Sequence, residues 1–211
     1  ANPPKDWTDF FDTVKFPGRR SMLGDGLFVL EAALLADGVA PAGVYTVLKT
    51  PAGQERAFAK LEKLKPSVAV WWRSPGQAVQ LVRDGEADMV VIGNGRASQL
   101  VADGADIGYV WNQAFLDVAC FIVPKNVADP KPAMRLINSA LDAENQGRFT
   151  AMTGYGSVNP KAFESTSLKG KDLSWFPTAP QNVDKQIWAD PTWYASPEAD
   201  AAYLRFSKFL Q

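Results

Sequence analysis

Two largely apolar runs, Ser67-Val68-Ala69-Val70-Trp71-Trp72 and Ala87-Asp88-Met89-Val90-Val91-Ile92, leave few architectures open. Neither alternates apolar with polar residues as a half-solvated strand does, so both read as strands covered on two faces. Each is followed by a helix. Ser74-Pro75 opens one that runs from Gln77 to Arg83, proline being favoured in a first helical turn. Gly93-Asn94-Gly95-Arg96 leads into another that ends at Ala102. Upstream, a short strand Arg20–Leu23 precedes Gly24-Asp25-Gly26 and a helix from Leu27 to Leu35. Ala57, Phe58, Leu61 and Leu64 repeat at helical spacing, and Pro66 stops that helix. Asp6 is placed to cap a short helix through Asp12. Strands alternating with helices predict an α/β fold with a parallel sheet over residues 1–110.

From Ile107 the pattern changes. Ile107–Trp111 and Phe115–Val123 are apolar runs separated only by Asn112-Gln113-Ala114, and the rest is mainly helical. Met134, Ile137 and Leu141 share one helical face, and Tyr203, Phe206 and Leu210 another. The division expected is an α/β lobe over 1–110, a connecting strand over 111–124 and a helical part over 125–211.

Composition excludes several classes. The chain has 211 residues with 22 Lys+Arg against 23 Asp+Glu, a net charge of −1 without the basic stripe of a nucleic-acid binder. It has no histidine, which removes imidazole bases, Ser-His and Cys-His nucleophile pairs and His-ligated metals. The single Cys120 lies in an apolar run, where it reads as a buried structural thiol. No apolar run reaches the length of a membrane helix. A compact fold of this mass exposes roughly 9,600 Å² and buries about 70% of the extended chain's surface. No catalytic arrangement emerges, and neither a cofactor nor a metal is implied.

Ligands of open α/β sheets bind at the carboxyl ends of the strands. Those ends carry Asp25 after the first strand, Trp71, Trp72, Arg73 and Ser74 after the second, and Asn94 after the third. A carboxylate with aromatic faces suits an organic cation. The ordinary readings stand beside this one: Asp25 as a helix cap, Gly93–Arg96 as a tight turn, and at least one tryptophan as core, since successive strand residues point oppositely. Tyr155 and Tyr194 are further aromatics near loops.

Several segments together resemble one family. They are Asn2-Pro3-Pro4-Lys5-Asp6-Trp7-Thr8-Asp9-Phe10-Phe11-Asp12, Lys15-Phe16-Pro17-Gly18-Arg19-Arg20, Leu34-Leu35-Ala36-Asp37-Gly38-Val39, Gln80 to Met89, Asn94-Gly95-Arg96 and Tyr155 to Phe163. In this order they resemble the spermidine/putrescine-type periplasmic solute-binding proteins of ABC importers. The resemblance implies a periplasmic-binding-protein type II-like fold, in which two α/β lobes trap a solute between them. It implies a periplasmic or extracytoplasmic location, a signal peptide already removed, and an ABC permease in the inner membrane as partner. It also implies that the chain covers lobe two and the C-terminal part, lacking the N-terminal part of lobe one. Residues 111–124 would return to lobe one and 125–211 would belong largely with it, leaving helix faces open to a homodimer.

By the same resemblance Asp25 falls where the family places a carboxylate for an ammonium group, and Asp117 stands in for an acid of the returning strand. Trp71, Trp72, Tyr155 and Tyr194 would wall the ligand, with Ser74 and Asn94 hydrogen-bonding it. The chain departs from the pattern at Phe28, where a second acid often sits, at Gly93 in place of an aromatic, and at Ala119. A polyamine-like cation is therefore the first expectation. An amino-acid-like or anionic solute, held through Arg73 and Arg96, is the alternative, and a ligand-free interaction module a third.

Overall fold

In the computed structural model, which describes residues 3–211, β1 (Arg20–Leu23) is the central strand of a three-stranded parallel sheet. Its neighbours are β2 (Val68–Trp72) and β3 (Met89–Val90), so the spatial order is β2-β1-β3. Ser21 pairs with Val70 on one side and Val90 on the other. Asn2, which opens the first motif, lies outside the described residues.

Helices cover both sheet faces, as the apolar runs require. On one face Met22, Val68, Trp71 and Met89 meet α2 (Val29–Ala36), α4 (Pro51–Leu64) and α11 (Pro197–Phe209). On the other, Val70, Trp72, Val90 and Ile92 meet α5 (Pro75–Arg83). α1 (Trp7–Phe11) is capped by Asp6, which accepts from Asp9 N at 3.0 Å, and α3 (Val44–Leu48) leads into α4. α6 (Asn94–Ala102) follows β3. One start device recurs. Thr50-Pro51, Ser74-Pro75 and Ser196-Pro197 each place a hydroxyl that accepts a first-turn N–H ahead of a proline that has none to satisfy.

The second part departs from expectation. Of the run Phe115–Val123 only β4 (Phe115–Leu116) is a strand, pairing in parallel with β5 (Ile187–Trp188), and Ile107–Trp111 forms none. Val118, Phe121 and Ile122 are exposed, because no strand within the described residues lies beside them. Cys120 is exposed with them, not buried. α7 (Lys131–Ala140) buries no residue, and Met134 and Leu136 face outward. α8 (Ala143–Thr153) packs beside the turn Pro160–Glu164 but leaves Phe149 and Met152 exposed. The accessible surface is consequently 12208 Å², well above the roughly 9,600 Å² of a compact chain of this mass.

The last helices pack on the sheet unit. After α9 (Pro180–Val183), Trp193 of α10 (Pro191–Tyr194) and Ala199, Ala202 and Phe206 of α11 are buried in the core formed by the first 70 residues. Phe206 meets Trp71 edge-on at 5.5 Å. Arg205 pairs with Glu55 and lies over the Phe58 ring, and Lys65 donates to the Phe209 carbonyl. This helix is a structural part of the sheet unit.

Candidate functional site

The carboxyl ends of β1, β2 and β3 lie at one edge of the sheet, and two groups of side chains gather there. The first is built on the loop after β1. Gly24 N donates to Trp72 O at 2.7 Å, and a Cβ at Gly24 would stand 3.3 Å from Arg73 Cγ, so the Asp25 and Arg73 loops run side by side. Both side chains are exposed. Asp25 Oδ1 accepts from Leu27 N at 3.0 Å, a local turn bond that leaves Oδ2 available. Among the described residues neither Arg73 nor Arg96 is in a salt bridge.

Next to Asp25, Phe28 adopts a left-handed backbone (φ 61°) at the start of α2. Its ring stacks on Phe115 at 4.9 Å and 4°, and meets Tyr194 edge-on at 5.9 Å. Phe115 stacks in turn on Trp7, whose indole N–H donates to Gln113 O. Among the described residues Gln113 is the other non-glycine residue with positive φ, at 62°. Both left-handed residues thus flank one aromatic stack, and such conformations persist where surrounding packing enforces them, often at functional sites.

The second group sits at the end of β3. Asn94 Nδ2 donates to Gly154 O at 2.5 Å, and the Asn94 carbonyl accepts from Tyr109. A Cβ at Gly95 would lie 2.9 Å from the Tyr155 ring, so the turn's second glycine is what admits Tyr155. Tyr155 is half-exposed and stacks on Phe149. Asn94 and Tyr155 are thereby brought together.

The remaining candidates have other occupations. Trp71 packs against Phe206 and Phe209 on one face of the sheet. Trp72 is buried on the other, its indole N–H donating to Val91 O at 2.9 Å. Both tryptophans are therefore core, where the alternation argument required only one. Ser74 caps α5, accepting from Gln77 N. Asp117 is exposed two residues beyond Phe115, and its Oδ1 accepts from Val118 N. Two depressions lie away from this edge. One, of 350 Å³, is lined by Val82, Arg83, Leu100 and Ile107 at the opposite ends of the strands.

Sequence reasoning passes over Glu31. It is fully buried in α2, where Tyr194 donates to its Oε1 at 2.5 Å. Burial pushes this carboxyl up to about 7, against the Tyr194 bond, which pulls it down. Tyr45 Oη lies 3.3 Å from Tyr194 Oη, and burial together with the Glu31 charge pushes Tyr45 up to about 12. Asp190, which caps α10, is bound by Lys49 at 2.7 Å and held down at about 2. One signal was present: Glu31 is the lone acid of an otherwise apolar stretch, Val29-Leu30-Glu31-Ala32-Ala33-Leu34-Leu35.

Comparison with known proteins gives this geometry a context. The family described as bacterial extracellular solute-binding protein matches residues 1–178. The gamma-aminobutyric acid-binding protein of Pseudomonas aeruginosa is 33% identical over 196 residues, covering 90% of this chain and 55% of its own length. A solved ABC transporter substrate-binding protein from Bradyrhizobium japonicum USDA 110 is 37% identical with a TM-score of 0.85, over 100% of this chain and 64% of that one. The PBP MotA from A. tumefaciens B6, solved in complex with glucopine, is 34% identical with a TM-score of 0.80, over 97% of this chain and 63% of its own. The chain thus spans about half the length of the curated relative and under two thirds of these structures. The fold is that of the α/β periplasmic binding proteins, and their role is to bind solutes, not to transform them. By sequence and by fold, this chain belongs to the bacterial extracellular solute-binding proteins of ABC transporters.

Proposed function

We propose that the chain forms one side of the solute site of an ABC importer's binding protein, and that the solute is a small amino-acid-like molecule carrying both an ammonium and a carboxylate group. The observation that carries this reading is the pairing of loops at the ends of β1 and β2. Asp25 and Arg73 stand on adjacent exposed loops, and among the described residues neither is in a salt bridge. A carboxylate and a guanidinium side by side complement a zwitterion, whereas the guanidinium repels a diamine. The named relatives bind gamma-aminobutyric acid and glucopine, which supports this reading over a polyamine. The Phe28–Phe115 stack, with Tyr155 across the edge, supplies apolar walls for the ligand's carbon chain.

Titration of ¹⁵N-labelled chain with millimolar gamma-aminobutyric acid, an opine and putrescine tests it, because chemical shifts register weak binding to one side of a site. Shifts at Gly26, Phe28 and Arg73 with the zwitterions, lost in Asp25→Asn and Arg73→Gln, are expected. Shifts with putrescine alone, or zwitterion shifts unchanged in both variants, overturn the reading.

A further inference from the structure

Phe28 holds its ring in place from a left-handed backbone (φ 61°) that a phenylalanine rarely adopts, so the position of this apolar wall depends on what packs against it. Phe115 stacks on the ring, and Tyr194 meets it edge-on at 5.9 Å. Tyr194 is itself tied down. Its hydroxyl donates to Glu31 Oε1 at 2.5 Å, and Tyr45 Oη stands 3.3 Å from that hydroxyl. Glu31 follows Phe28 by three residues, which puts both on one face at the start of α2. Tyr194 thus touches the wall with its ring and a core carboxyl with its hydroxyl.

We propose that Glu31 and Tyr194 are positioning residues for the Phe28 wall, and that release of the Glu31 proton to solvent tightens Tyr194 against it. Glu31 is wholly buried, and among the described residues the elements packed around it bring no cation to it. The buried residues of α1 and α4 are uncharged, while α3 brings Tyr45, α10 Tyr194 and α11 Tyr203. Arg20 of β1 is engaged by backbone carbonyls, and Lys49 by Asp190 and Thr192. Asp25, on the loop before α2, is felt as a charge by Tyr203. Burial pushes the Glu31 carboxyl up to about 7. Tyr45 and Tyr194 are pushed up as well and keep their protons throughout. Tyr194 therefore donates at every ordinary pH, but to an uncharged acceptor below this value and to a carboxylate above it. The charge-assisted bond is about twice as strong. A wall held in its binding position beforehand spends less of the interaction on ordering. That consequence for the solute rests on the site proposed above, whereas the coupling of Glu31 to Phe28 does not.

An NMR titration of the chain from pH 5 to 9 tests it, first without solute. The Glu31 carboxyl carbon and the Phe28 amide and ring signals should move together with one midpoint. Glu31→Gln keeps an acceptor for Tyr194 and cannot ionise, so its Phe28 signals should stay level. Tyr194→Phe keeps the ring and removes the hydroxyl. There Glu31 should titrate at a higher pH, having lost a bond to its charged form, and Phe28 should no longer follow it. Phe28 signals that stay level in the parent, or that follow Glu31 equally in Tyr194→Phe, overturn the proposal. With gamma-aminobutyric acid added, binding about fivefold tighter at pH 8 than at pH 5 is expected, with no such difference in either variant. Equal binding by the parent at both pH values overturns the positioning role. Phe28 following Glu31 in a chain that binds no zwitterion would refute the solute reading alone and uphold the coupling.

Discussion

Replacing Glu31 with glutamine should abolish most of the pH dependence of stability between pH 5 and 8. With no histidine in the chain, no other side chain ordinarily titrates in that window. Among the described residues the groups around Glu31 are Tyr45 on α3, Tyr194 on α10 and Tyr203 on α11, all pushed up by burial and by the Glu31 charge, and no cation faces it. In the fold this carboxyl titrates near 7, whereas its ordinary value is 4.5. Between these values the native state keeps a proton that the unfolded chain has released. Stability is therefore greatest at the acid side of the window, declines as pH rises from about 5, and levels off above about 7. The interval corresponds to about 3 kcal/mol, or roughly 6–12 °C in the melting midpoint of a domain this size. Glu31→Gln keeps an acceptor for Tyr194 and cannot ionise, so its midpoint should stay nearly level from pH 5 to 8 and exceed the parent's at pH 8. Urea unfolding at closely spaced pH values reads this directly. Parallel profiles for parent and variant would refute the reasoning, because they would place the proton uptake elsewhere.

Four further outcomes are expected. Acid should destabilise the chain below about pH 4, where the paired carboxylates held low in the fold, Asp190 at about 2 among them, become protonated. Lys49→Met should lessen that acid sensitivity, as seen by melting at pH 3 and pH 6. Arg20→Lys should cost about 3 kcal/mol in denaturant unfolding, because the buried guanidinium donates to the carbonyls of Phe10, Asp12, Phe16 and Gly18 and a lysine cannot reach all four. Gly53→Ala, in α4, should cost about 3 kcal/mol despite alanine's better helix propensity, since its Cβ would fall 1.9 Å from the Val47 carbonyl oxygen. An unchanged midpoint would show that α3 moves aside freely.

The sheet unit was legible because its signals are local. Ser67–Trp72 and Ala87–Ile92 are apolar on both sides, and only a strand covered on both faces explains such a run. The same logic, taken one step further, would have put both tryptophans in the core: a sheet with two covered faces has no solvent side for either Trp71 or Trp72. Phe115–Val123 shows the limit of this signal. It is as apolar as β2, yet only Phe115 and Leu116 have a strand to pair with, since pairing is a property of the neighbour as much as of the run. Asp25 and Asn94 were singled out by a rule about strand ends, and Tyr155 as an aromatic near a loop. Their joint geometry was not, because it depends on Gly24 and Gly95 admitting the approach of Arg73 and Tyr155. Glu31 was missed although its setting is informative: a helix apolar on every side is buried on every side, and its one acid with it.

The docking of α11 on a core made mainly by the first 70 residues governs when that core can close. Phe206 and Ala202 fill spaces beside Trp71 and α2, some 130 residues along the chain from the strand they cover. During synthesis Leu30, Leu34 and Trp71 therefore emerge long before their partners, and loops of that length close slowly. The sheet unit stays unfinished and its apolar face open until α11 has left the ribosome. A nascent chain in that condition remains extensible and available to chaperones, and its final compaction awaits the arrival of a single helix.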